Sequence, residues 1–298
     1  MRAITLHRPG GPDALLLDEV HLPGPGPGEV RVRVAAAGVN PVDLQTRSGV
    51  YHRLGWVSVS PVGLGWDLAG AVDAVGAGVP LAEGTPVAAL SPGVDKPLGA
   101  YAEFLVLPAD CVTEIDPALD PVVAATVPLN SLTAMQALDL MGPAAGRSLL
   151  ITGAAGAVGG YATQLAAERG FTVTGLARPT DEAFLADLGS GHAVTVRPAA
   201  FDVVLDAAAL GVAALDAVAD GGSYVGVVPP AVPDPVRSIT TTAVLVTPDA
   251  KQLAEAVRRT TDGSLPARVH SIAELSEAAQ AHRTMEGGGL RGRIVLTV

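Results

Sequence analysis

The sequence predicts an α/β fold, a doubly wound parallel sheet joined to a second, β-rich portion. Three observations carry this expectation. Between about residues 120 and 263, short apolar strands alternate with short helices, the order that builds a parallel sheet with helices on its faces. One of those strands runs directly into a glycine-rich turn and then a helix. The first 110 residues read as strands instead, with no long helical period.

The elements follow in order. Residues 29–39 alternate Val30, Val32 and Val34 against Arg31 and Arg33, so a half-buried strand is expected there. The Pro/Gly stretch 22–29 before it is a connector. Residues 65–79 and 84–90 add short strands broken by glycine. In the middle, 148–152 is an apolar strand, 161–170 a helix ended by Gly170, and 171–177 a second strand. A helix at 181–189 and strands at 192–196 and 201–206 come next, then a helix at 212–222 and a strand at 223–228. The β-branched run 238–247 is expected to be the last strand of that sheet, and 249–263 a helix stopped by Gly263. A helix at 273–289 and a terminal strand at 292–298 close the chain. Such a strand usually returns to pair with an earlier one.

Composition removes several functions. Hydrophobic residues make up 49% of the 298 positions and charged residues 16%, enough apolar material for two packed cores. The net charge of −11 and the 3% aromatic content argue against a nucleic-acid partner, which needs a basic surface or stacking rings. Two uncharged windows, 121–138 and 148–167, are broken by Pro128 and by Gly153, Gly156, Gly159 and Gly160. They read as buried core, and no membrane span or signal peptide is expected. A single cysteine, Cys111, forms no intrachain disulfide and no cysteine-rich metal site, which points to a reducing cytoplasm. The six histidines are scattered without ligand spacing.

The chemistry concentrates in the turn Gly153-Ala154-Ala155-Gly156-Ala157-Val158-Gly159. Glycine allows a tight turn and close approach of backbone to a pyrophosphate, and the following helix start offers N–H donors. The bland alternative is a βαβ unit whose glycines serve packing only. Cofactor identity is read at the end of the next strand, where an acid would hold a ribose 2′-hydroxyl. Arg178 stands there instead and suits a 2′-phosphate, so NADPH is the expected cofactor. The alternative is an ordinary solvated arginine. Asp181 and Glu182 read as acids in the first turn of the next helix.

Six segments in order resemble the zinc-independent, zeta-crystallin-like quinone oxidoreductase branch of the medium-chain dehydrogenase/reductases. They are AAAGVNPVDLQTRSGVY (35–51), GWDLAGAVDAVG (65–76), GAYAEF (99–104), LTAMQAL (132–138), ITGAAGAVGG (151–160) and GGGLRGRIVLTV (287–298). The resemblance implies a GroES-like substrate domain, residues 1–117 and 264–298, and a Rossmann dinucleotide-binding domain, residues 118–263. It implies metal-independent, NADPH-dependent reduction of quinones or α,β-unsaturated carbonyls in a cleft between the domains. An enoyl reductase for thioester or polyketide intermediates is the alternative within enzymes, and an NADPH-binding sensor or structural protein the alternative outside them. Zinc-dependent relatives carry a His-Glu pair where Gly65 is followed by Trp66-Asp67, so no metal site is expected. By the resemblance, Asn40 lies beside nicotinamide and substrate, Thr133 approaches the nicotinamide carboxamide, and Tyr51 occupies the place of a proton donor. For Tyr51 the plainer reading is an amphipathic wall residue, and for Asn40-Pro41 a turn. Asp43 reads as a helix cap and Cys111 as a small buried residue. The resemblance also implies a homodimer paired through the edge at 238–247.

Overall fold

The computed structural model describes residues 1–298. In chain order its strands are β1 (Arg2–Leu6), β2 (Leu15–Glu19), β3 (Glu29–Gly38), β4 (Val62–Gly63), β5 (Asp67–Val75), β6 (Pro86–Leu90), β7 (Phe104–Pro108), β8 (Val112–Glu114), β9 (Ser148–Thr152), β10 (Thr172–Leu176), β11 (Gly191–Ala193), β12 (Phe201–Asp206), β13 (Val218–Gly226), β14 (Thr240–Ala243), β15 (Val269–Glu274) and β16 (Arg293–Thr297). The helices are α1 (Pro41–Arg47), α2 (Val50–Arg53), α3 (Pro121–Ala124), α4 (Pro128–Met141), α5 (Ala157–Glu168), α6 (Glu182–Asp187), α7 (Val212–Leu215), α8 (Ala250–Thr261) and α9 (Ala278–Glu286). The chain forms two compact units, Met1–Leu129 with Pro248–Val298, and Asn130–Thr247. The bounds 118 and 263 drawn from the sequence fall inside the first unit, because α3 packs on β3, β5 and β15, and α8 packs on β8.

The first unit is built on a seven-stranded sheet, ordered β15-β16-β3-β5-β6-β8 with β7 also on β3. Strand β3 keeps its period of two as far as Val34, with Val30, Val32 and Val34 buried and Arg33 exposed. From Ala36 to Gly38 both faces are covered. Burying each valine contributes about 1.5–3 kcal/mol. The terminal strand does return: β16 pairs antiparallel with β3, Leu296 opposite Ala37, and parallel with β15.

The second unit holds a wholly parallel six-stranded sheet, β11-β10-β9-β12-β13-β14. Counting from β9, the spatial order is third, second, first, fourth, fifth, sixth, the Rossmann order. Its direction reverses between β9 and β12, where such sheets bind ligands at the strands' carboxyl ends.

Four expected elements change, the strand expected at 192–196 being reduced to Gly191–Ala193. The helix expected at 212–222 stops at Leu215, and β13 already begins at Val218. Gly221, at φ +77°, adopts a left-handed conformation that no helix interior uses, and Val218 pairs with Phe201 of β12. Ala273 and Glu274, expected in a helix, belong to β15, because pairing with Leu296 and Thr297 of β16 outweighs local propensity. The edge strand is shorter than 238–247: only Thr240–Ala243 pair with β13, and Leu245 is left exposed. The uncharged window 121–138 folds as α3 and most of α4, and no helix of the chain is long and apolar enough to cross a membrane.

Candidate functional site

In the second unit, β9 delivers the chain into the glycine turn. Gly153 sits at φ +60°, and Gly156 is the N-cap of α5. A Cβ on Gly159 would lie 2.2 Å from the Gly153 carbonyl oxygen, so only glycine lets the first turn of α5 close against the strand end. Ala157 and Val158 are half-buried, and the first-turn N–H groups of a helix have no partner within it. Residues Gly153 to Gly159, with Ala154 and Ala155 buried beneath, thus form a small-residue cradle at the start of a twelve-residue helix, and it fits a dinucleotide pyrophosphate.

Strand β10 lies beside β9, with Leu176 opposite Thr152, so Arg178 stands next to the turn. Its Nε donates to Asp181 Oδ2 at 3.2 Å. Half of the Arg178 side chain is exposed, whereas Asp181 is buried. Asp181 is therefore more than the first-turn acid expected from the sequence: it is the buried counter-ion that orients Arg178. On the other side of β9, Asp206 ends β12 fully buried. It accepts from Thr152 Oγ1 at 2.5 Å, from Tyr224 OH at 2.7 Å and from the Gly211 N–H at 2.8 Å. That network braces the sheet end beside Gly153. An acid closing the apolar strand 201–206 is the one sequence signal that could have pointed to it. Thr133 is buried on α4 in the same unit.

In the first unit the site residues cluster around the end of β3. Asn40 caps α1 with Pro41 at the first helical position, and its N–H donates to Asp43 Oδ2 at 2.9 Å. Asp43 also accepts from the Gly65 N–H and from Tyr101 OH, at 2.9 and 3.1 Å. Burial pushes its carboxyl above the ordinary range. Asn40 Nδ2 donates to Asp67 Oδ2 at 2.7 Å, and Asp67 Oδ1 accepts the Leu129 N–H at 2.5 Å. Burial pushes the Asp67 carboxyl up to about 7. Asn40 is fully buried and its Oδ1 has no partner, so its role is tied to Asp67 as well as to any ligand. Lys96 Nζ donates to Gly65 O, Ser91 O and Ser91 Oγ, 5.4 Å from the centre of the Trp66 ring.

Tyr51 is the second residue of the short helix α2, whose N-cap Gly49 has φ +82°. Its ring stacks on Trp56, 5.5 Å between centroids at 15°. Its hydroxyl donates to Gln45 Oε1 at 2.6 Å, and burial with the nearby Asp43 charge pushes it up to about 12. The sequence reading missed Gln45, Asp67, Asp181 and Asp206 as partners. The Gln45–Tyr51 contact spans a turn between two helices, which no periodicity reveals. No three His, Cys, Asp or Glu side chains stand together as a metal-ligand set. Cys111 is buried, which raises its thiol to about 12.

Comparison with known proteins agrees with this architecture. Residues 26–117 match the alcohol dehydrogenase GroES-like domain, and residues 180–296 match the zinc-binding dehydrogenase family. Rat quinone oxidoreductase is 34% identical over 180 residues, 59% of this chain and 53% of that protein. A 2-methylene-furan-3-one reductase from tomato is 31% identical over 241 residues, 76% of this chain and 61% of that protein. The chain thus spans about half the length of the curated relatives it matches. The solved quinone oxidoreductase from Coxiella burnetii superposes with a TM-score of 0.87 at 28% identity, over 100% of this chain and 99% of that one. With its GroES-like segment and its Rossmann sheet of nicotinamide-dependent dehydrogenase type, the chain belongs to the medium-chain dehydrogenase/reductase superfamily, in agreement with the zeta-crystallin-like branch its segments resemble.

Proposed function

We propose that the chain is a metal-independent oxidoreductase that uses NADPH to reduce a quinone or an α,β-unsaturated carbonyl. The observation that carries this reading is the Gly153–Gly159 cradle at the reversal point of the parallel sheet, with Arg178 at the end of the neighbouring strand. In this reading the turn and the first N–H groups of α5 hold the pyrophosphate, and Arg178 holds the 2′-phosphate. Thr133 takes the carboxamide, and Asn40 lies at the nicotinamide. When bound, NADPH supplies a hydride. The protein's share is to orient the acceptor and stabilise charge on its oxygen, which needs no metal where an amide or hydroxyl donor is present. The names of the rat and tomato relatives, a quinone oxidoreductase and a reductase of an enone, support the acceptor class.

The test is NADPH oxidation followed with 9,10-phenanthrenequinone, 1,4-benzoquinone, an alkenone and a crotonyl thioester. Turnover of a quinone or of the alkenone is expected. Turnover confined to the thioester would favour an enoyl reductase, and binding without turnover a sensor.

A further inference from the structure

Resting on the reading of function above, we propose that Gln45, a residue of α1, is the hydrogen-bond donor to the acceptor's carbonyl oxygen, and that Tyr51 is its positioning residue. A phenol has one proton, and here it is given to Gln45 Oε1 at 2.6 Å, a length typical of O–H···O bonds and short for N–H···O. Tyr51 is buried under the Trp56 ring, so its hydroxyl has no second proton to offer and little surface from which to offer it.

Gln45 is in the opposite position. Its oxygen is taken by Tyr51, so the amide plane is held with Nε2 turned the other way. The side chain is half-buried, no group of the chain takes the two Nε2 protons, and Nε2 is not among the sealed-in unpartnered atoms. It therefore meets solvent with two N–H donors unused. Trp56, whose ring stacks on Tyr51, is 46% exposed, and Leu54, two residues before it in the chain, is also 46% exposed. An amide donor and an exposed indole held by the same tyrosine suit a planar carbonyl compound.

Hydride adds to the β-carbon of the enone and forms a C–H bond. The carbon–carbon π pair shifts toward the carbonyl carbon, and the carbonyl π pair moves onto oxygen. The enolate oxygen receives N–H hydrogen bonds from Gln45 Nε2, a proton from water goes to the α-carbon, and NADPH leaves as NADP⁺. Because the charge exists only once hydride moves, the donor acts on kcat more than on binding.

The experiment compares wild type, Gln45→Glu, Gln45→Met, Tyr51→Phe and the double variant Gln45→Met/Tyr51→Phe. Steady-state kinetics are run with an alkenone and with 1,4-benzoquinone, and NADPH Kd is read by fluorescence. Gln45→Glu keeps an acceptor for Tyr51 but places negative charge where the donor stood. It should lower alkenone kcat about 100-fold, with NADPH Kd within about twofold. Gln45→Met should lose about tenfold or more, and the more electrophilic quinone should lose less. Tyr51→Phe should cost about tenfold in wild type and nothing further in the Gln45→Met background, a non-additivity that two independent structural effects would not produce. Gln45→Met that retains wild-type kcat while Tyr51→Phe loses it would overturn the inference and return the donor role to Tyr51. Wild-type protein that reduces no acceptor would remove the reading of function, and the inference with it.

Discussion

Arg178 stands at the end of the strand beside the glycine turn, tied to a buried acid. Asp181 accepts from Nε at 3.2 Å, and 53% of the side chain is exposed, the surface that the proposed 2′-phosphate contact uses. A charge-assisted hydrogen bond is worth about 1.5–3 kcal/mol, so Arg178→Ala should cut the preference for NADPH over NADH by about tenfold or more at 1.4 kcal/mol per tenfold. Equilibrium Kd values for both cofactors check this, and an unchanged ratio would count against the assignment. Asp67 makes a second prediction. Its folded carboxyl lies near 7, above its ordinary 3.8, through burial and the Asp43 charge, against the hydrogen bonds from Leu129 and Asn40 and the Arg293 charge. A raised acid binds its proton more tightly folded than unfolded. Its contribution to stability is therefore full below pH 4 and is lost as pH rises through 7. Asp67→Asn should flatten that part of the curve: relative to wild type, its Tm should improve steadily from pH 4 to pH 7.5. Lys96, which burial lowers to about 7 and the Asp67 charge raises, is coupled to Asp67, so the comparison is repeated in a Lys96→Met background. Parallel Tm profiles would show that Asp67 does not titrate in this range.

At the scale of elements, the glycine turn and α5 form one unit with β9. Gly159→Ala would push a methyl into the Gly153 carbonyl, a backbone atom that cannot swing aside. Overpacking of this kind costs about 1–3 kcal/mol, and the displaced turn should also weaken NADPH binding. Gly11→Ala is the control, since a Cβ there meets nothing within 4 Å, and its Tm should stay within about a degree, as for other surface changes. Thermal melts and cofactor titration of both variants decide it. The elements that sequence periodicity placed best are those whose burial pattern is local, such as β3 with its alternating valines and β9 with its apolar run. Those misplaced, β13 and β15, are strands whose residues favour helix locally but gain a ladder of hydrogen bonds from β12 and β16. Asn40 was legible through the GVNPVD stretch that the family resemblance rests on; its clamp on Asp67, 27 residues away, was not.

On the scale of the whole molecule, the six-stranded sheet ends at β14, whose outer edge pairs with nothing in the chain. Leu245, 71% exposed, follows it. An open edge with apolar surface invites a symmetry mate, so light scattering at micromolar concentration should give about twice the 29.9 kDa chain mass. A monomer mass would remove the dimer proposal. The same preparation should contain well under one zinc per chain and keep its activity with chelator, because Trp66-Asp67 and a buried Cys111 offer no ligand set. The sequence by itself determined the α/β class, the glycine turn, the arginine at the end of the second strand and the family, because each is written in residues close together in the chain. Only the tertiary structure decided which acid orients Arg178, which amide Tyr51 holds and where Asp67 and Asp206 send their hydrogen bonds. Those contacts depend on distance and burial between segments as far as 62 residues apart, such as Asp67 and Leu129, and a one-dimensional pattern carries neither quantity.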